Sequence, residues 1–317
     1  MAEDPSPGGN EDRDAGDLPE LHFNELWCYL QAGREQALDP GYPITDLVYF
    51  GAEIDSYGGL TGVPDHAKLS GFPGRLHLAL ACNSRGLAHF VLEAGSALRR
   101  QLAAEILEAA GNFDGLHIDF ELIPARDGAN FISFLAELRE GLGDKLFTIA
   151  LPARRGALEN DVFDYAAIAP LVDRVLVMAY DEHWSGGEPG PIASPDWCRS
   201  VAEYALETIG PDKLIMGMPF YGRSWGSFNP SRAFFHSGVE RIRGENAVDR
   251  VQRDKGVPAF SYETAITVTV YYEDVFSLAL KGKMYRDMGV AAVGFWALGQ
   301  EDPRVWNLFK SSQNSLP

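Results

Sequence analysis

Phe113-Asp114-Gly115-Leu116-His117-Ile118-Asp119-Phe120-Glu121 is the stretch whose reading decides the fold. In an extended conformation Leu116, Ile118 and Phe120 share one face, and His117, Asp119 and Glu121 share the other. An edge strand of a sandwich produces the same alternation by turning its polar face to water. The flanks argue against that: residues 96–110 and 129–142 both carry apolar side chains at helical spacing, the helix-strand-helix pattern of a parallel sheet buried on both sides. The polar face then points into a barrel or cleft, where three ionisable groups are costly unless they have a task.

Asp119 and Glu121 stand two strand steps apart, about 6.8 Å between Cα atoms. Two carboxylates so placed repel when both are ionised, which raises the pKa of one and makes it a proton donor near neutral pH. Such a donor is what cleavage of a glycosidic bond requires. For an isolated Asp-x-Glu the ordinary reading is a pair of surface acids in salt bridges, and the helical flanks reverse it here.

Working outward, β-rich runs occur at 25–31, 46–54, 76–82, 146–153, 174–181, 213–220 and 291–298, with helical patterns at 162–171, 196–209 and 274–289. With the central stretch this makes eight strands, mostly separated by helix-length segments. That predicts a (β/α)₈ TIM barrel, with a doubly wound open sheet as the runner-up. Residues 226–273 break the alternation and read as a small α+β insertion after the seventh strand, forming one wall of a groove. Residues 1–20 read as a flexible acidic tail, leaving 21–317 as a single barrel.

The 317 residues are 46% hydrophobic, enough for one large core, and no apolar run of membrane-spanning length is present. A formal net charge of −18 makes nucleic acid or an anionic lipid surface an unfavourable partner. Cys28, Cys82 and Cys198 show no metal-ligand spacing. His183 beside Glu182 lacks a second histidine at helical or strand spacing, so no metal is expected, and no cofactor.

A barrel carries its chemistry at the C-terminal ends of its strands. There the sequence places Glu121 on the fourth, Met178, Tyr180 and Asp181 on the sixth, Tyr221 and Arg223 on the seventh and Trp296 on the eighth. Acids that act on the bond and flat aromatic faces suit a sugar.

Taken together these pieces resemble glycoside hydrolase family 18, the chitinase-like enzymes. The family signature Asp-x-x-Asp-x-Asp-x-Glu stands here as Asp114 to Glu121, with His117 in place of the second Asp. Met178-Ala179-Tyr180-Asp181, Tyr221-Gly222-Arg223 and Trp296 match the later strand signatures. The wording from Tyr180 to Pro191 is most similar to the bacterial spore-cortex and peptidoglycan-lytic branch, which typically has Asn where His117 stands.

The resemblance implies substrate-assisted retention on β-1,4-linked N-acetylglucosamine glycans, either chitin oligosaccharides or peptidoglycan. Glu121 is then the general acid, Asp119 orients the N-acetyl group and Tyr180 binds its carbonyl oxygen. Trp296 forms the floor, and His117, Met178, Asp181, Tyr221 and Arg223 are expected around the sugar, with His117 donating a hydrogen bond to Asp119. A tether like the N-terminal tail often follows a removed export signal or lipid anchor, so an extracytoplasmic location is expected. The rival reading is a chitinase-like lectin that binds without cleaving; such proteins usually lack the glutamate that Glu121 supplies.

Overall fold

Glu25–Gln31 hydrogen-bonds in parallel to both Asp46–Ile54 and Ala292–Trp296, and this double pairing closes the sheet into a ring. The computed structural model describes residues 15–226, 232–264 and 266–312. Between the closing strands lie Arg75–Cys82, Gly115–Phe120, Leu146–Pro152, Arg174–Met178 and Leu214–Pro219, each parallel to its neighbours. The expected TIM barrel is the observed fold.

Alternation along each strand divides the core in two. Outward side chains such as Leu116, Ile118 and Phe120 pack under the helices, where Phe131 and Phe134 of Gly128–Leu142 stack on Phe120. Inward side chains include Trp27, Tyr29, Val48, Ala79, Leu176 and Ile215. The N-terminal end is tied by charge: Arg75 forks onto Asp46 at 2.7 Å, and Arg174 reaches Glu25 at 2.8 Å. Bidentate pairs of this kind add geometric specificity as well as energy.

Three expected boundaries differ. The sixth strand ends at Met178 rather than Asp181. The Ala179 N–H turns back to the Val177 carbonyl at 2.8 Å, and Asp181 sits at φ +58°, a left-handed conformation that breaks the strand alternation. The pattern at 162–171 yields only a short helix, Tyr165–Ile168, followed by a 3₁₀ turn, because Pro170 lacks the N–H a longer helix needs. The seventh strand stops at Pro219, and Tyr221–Gly226 belongs to a second sheet.

That sheet is antiparallel, with Arg232–Phe235, Tyr221–Gly226, Thr267–Tyr271, Val257–Glu263 and Gln252–Asp254 in spatial order. Helix His236–Glu245 covers it through Val239 and Ile242, which meet Phe260, Val270 and Tyr272. Of the segment expected as an insertion, 227–231 and 265 lie outside the described residues, as do 1–14 of the expected tail. Within the rest of that tail Ala15–Asp17 form a 3₁₀ turn, and just after it Leu21–Phe23 pairs in parallel with Phe309–Ser311.

Candidate active site

The C-terminal mouth of the barrel holds a cavity of about 430 Å³. Asp119 and Glu121 line it at the end of the fourth strand, Met178 from the sixth with Tyr180 and Asp181 just after it, and Trp296 from the eighth. Tyr221 and Arg223 reach it from the second sheet. Eight of the nine residues singled out in the sequence thus meet at one cavity.

The fourth strand delivers its two acids differently. The ladder continues past Phe120, with the Glu121 N–H donating to the Cys82 carbonyl at 3.2 Å, so Glu121 keeps the inward direction of Asp119 while standing one step nearer solvent. Asp119 is buried, and its Oδ1 has no hydrogen-bond partner. Leaving a buried acceptor unpaired costs roughly 1–3 kcal/mol, which a ligand's N–H can recover. Burial first, and the Glu121 charge second, push the Asp119 carboxyl up to about 7. Glu121 is also raised, by burial and then by the Asp181 carboxylate. Two acids with raised affinity for a proton share the cavity, the arrangement that supplies an acid near neutral pH.

Asp181 is held in its left-handed conformation from the second sheet. The Tyr221 hydroxyl donates to Asp181 Oδ1 at 2.6 Å, and Arg223 Nη2 donates to the same oxygen at 2.8 Å. Tyr180 packs edge-on to Tyr221 with ring centroids 6.4 Å apart. Gly217 leaves it space, since a Cβ there would stand 3.1 Å from the Tyr180 ring. Trp296 rests on the Tyr29 and Phe50 rings, with centroids 5.0 and 5.2 Å away, which gives the cavity a rigid apolar floor.

His117 is the correction. It is fully buried and does not line the cavity, and it does not donate to Asp119. Its Nε2 lies 2.8 Å from the Tyr29 hydroxyl and its Nδ1 lies 2.8 Å from Thr148 Oγ1, while the Thr148 hydroxyl faces the Leu116 carbonyl at 3.3 Å. One direction satisfies all three groups: Tyr29 donates to Nε2, Nδ1–H donates to Thr148, and Thr148 donates to the carbonyl. Burial, and then the His77 imidazole, press the His117 pKa down to about 3, so the ring is neutral.

The sequence reading also missed cavity residues. Pro152 and Ala153 come from the end of the fifth strand, Ala233, Phe234 and Phe235 from the edge of the second sheet, and Gln300 from beyond the eighth strand. Tyr29, buried beneath Trp296 rather than lining the cavity, had a signal, since it shares the inward face of its strand with Trp27. Phe234 and Phe235 had none, because the pairing of the second sheet is set by contacts distant in sequence. Among the described residues no group of three histidines, cysteines or carboxylates is placed to hold a metal ion.

The uncharacterized glycosylase YvbX of Bacillus subtilis is 30% identical over 210 residues, 63% of this chain and 61% of its own. The cortical fragment-lytic enzyme of Bacillus anthracis is 26% identical over 289 residues, covering 84% of this chain and 67% of its own. The putative sporulation-specific glycosylase YdhD of B. subtilis is matched over only 48% of its length, so the chain spans about half to two-thirds of these relatives. The crystal structure of the Bacillus cereus spore cortex-lytic enzyme SleL superposes with a TM-score of 0.80 at 22% identity, over 91% of this chain and 74% of that one, and shares its fold. The sequence model of the glycosyl hydrolases family 18 matches residues 88–301, a span that carries Asp119 and Glu121, the Tyr180 and Asp181 that follow the sixth strand, and Trp296. The chain belongs to the glycosyl hydrolases of family 18.

Proposed function

We propose that the chain is a retaining glycosidase that cleaves β-1,4-linked N-acetylglucosamine glycans with the help of the substrate's own N-acetyl group. The observation that carries this reading is the unpaired Oδ1 of Asp119, buried beside Glu121 in a cavity floored by Trp296. An amide N–H of a bound amino sugar supplies the donor that oxygen lacks. The hydrogen bond favours ionised Asp119, so the proton shared by the coupled pair rests on Glu121.

Glu121 then protonates the glycosidic oxygen as the acetamido carbonyl oxygen attacks the anomeric carbon. The leaving sugar departs with that proton, and an oxazolinium forms against the Asp119 carboxylate. Glu121, now ionised, takes a proton from water as the water opens the ring, so the anomeric configuration is retained. Tyr180 binds the acetamido carbonyl, Trp296 carries the apolar face of the ring, and Met178, Asp181, Tyr221 and Arg223 hold its hydroxyls and edges. His117 supports Tyr29 from below and takes no part in binding.

Residues 21–317 act as one catalytic unit, with the segment at 226–273 forming a wall of the cleft. The likeness to cortical fragment-lytic enzymes favours peptidoglycan as the substrate and a site of action outside the cytoplasm. Among the described residues no helix is long and apolar enough to cross a membrane. The test is to incubate the chain with muropeptide-derived glycans, chitin oligosaccharides and glucose oligosaccharides of equal length, then analyse products. Cleavage confined to the N-acetylated substrates supports the reading. Cleavage of the glucose oligomer at a similar rate removes the acetamido group from the mechanism.

A further inference from the structure

The cavity occupies only part of the barrel mouth. Its walls come from the ends of the fourth, fifth, sixth and eighth strands and from the second sheet, and none of its lining residues comes from the ends of the first three strands. On that side the loop after the first strand is pinned to the barrel. The Ala32 N–H donates to the Phe50 carbonyl at 2.8 Å, and the Glu35 carboxylate accepts from the Gly33 N–H at 3.0 Å and from the Tyr49 hydroxyl. From this loop the Arg34 guanidinium lies 4.3 Å from the centre of the Phe235 ring.

Phe235 is itself fixed. It pairs with Tyr221 across the second sheet, and the next residue, His236, donates its N–H to the Gln300 carbonyl at 2.8 Å. Gln300 follows Gly299, where a Cβ would stand 3.0 Å from Ala37 of the same first-strand loop. Two loops and a sheet edge therefore meet beside Trp296. A cation over an aromatic face is attracted by the ring's quadrupole, which adds to the hold on a ring already placed by its backbone.

We propose that the Arg34–Phe235 contact closes one end of the sugar cleft, so that the enzyme removes one or two sugars from a chain end rather than cutting within the polymer. This rests on the glycosidase reading above and adds to it where the chain is cut. A cleft for internal cleavage must let the polymer run out on both sides of Trp296, and here Phe235 of the cavity wall is tied through Arg34 to the loop after the first strand. A cavity of about 430 Å³ lies towards the small end of ligand sites, which run from about 300 to 1,000 Å³.

The test is the first-turnover product pattern on a soluble N-acetylglucosamine hexamer, measured for the whole chain and for Arg34→Gln and Phe235→Ala, with thermal melting to check folding. The wild-type chain should give only monomer with pentamer or dimer with tetramer, and trimer should appear as an early product in both variants. Arg34→Gln leaves every cavity-lining residue in place, so it isolates the contact from a change in the wall. Trimer among the first wild-type products overturns the closed end and leaves the glycosidase reading standing. Variants that fold and keep the wild-type pattern also overturn it, whereas a wild-type chain that cleaves neither the hexamer nor muropeptide-derived glycans removes both readings.

Discussion

The Tyr29 hydroxyl and His117 Nε2 lie 2.8 Å apart directly inside the barrel, and that bond decides what His117 does. An imidazole that accepts from Tyr29 and donates to Thr148 has no hydrogen left for Asp119. His117→Asn should therefore leave the alkaline limb of the pH–rate profile in place. A shift of one unit or more would mean that the ring tunes the acids after all.

The same histidine affects stability in acid. Its folded pKa, about 3, lies below its ordinary 6.5, so its contribution is present above 6.5 and is lost as pH falls towards 3. Thermal melting from pH 7 to pH 3 should show a shallower loss in His117→Asn than in the wild type. Parallel curves would contradict a neutral buried ring.

Asp119 has the opposite sign. Its folded pKa, about 7, lies above the ordinary 3.8, so its favourable contribution is complete below 3.8 and is lost as pH rises to about 7. Asp119→Asn should melt higher than the wild type at pH 8, with the difference shrinking towards pH 4, while catalysis is severely impaired. Stability gained where activity is lost is the usual trade at a site built for function.

The productive enzyme carries one proton on the Asp119–Glu121 pair, and burial raises both carboxyls above their ordinary range, so activity should fall on the alkaline side as the pair empties. Asp181 raises the Glu121 pKa by its charge. Asp181→Asn should therefore move the alkaline limb of kcat to lower pH, and a limb that moves upward would reverse the assignment of the acid.

Trp184 is 60% exposed three residues beyond Asp181. It packs against Gly186, where a Cβ would come within 2.5 Å of the indole, so the ring is held although it faces solvent. Trp184→Ala should raise KM for a hexamer severalfold and leave kcat nearly unchanged, with a dimer-length substrate unaffected. Equal KM values on the hexamer would make the indole a bystander.

Much of this site was legible in the sequence because strand alternation is local. Once the fourth strand was read as extended, the inward direction of Asp119 and Glu121 followed. The barrel followed from the order of strands and helices. Alternation failed where tertiary contacts bend the chain: Tyr221 and Arg223 grip Asp181 and end the sixth strand early. It also could not tell a cavity-lining group from one sealed below it. His117 and Asp119 share a face, yet only Asp119 reaches the cavity, because Tyr29 and Thr148 enclose the imidazole from strands distant in sequence.

The most direct measurement is turnover of a soluble N-acetylglucosamine hexamer by the wild-type chain and by Glu121→Gln at pH 6, with binding followed in parallel. Loss of general-acid assistance should lower kcat by about 10²–10⁴ while the variant still binds the oligomer. Equal turnover by the two proteins would mean that Glu121 does not donate the proton, and the proposed chemistry of this cavity would be wrong.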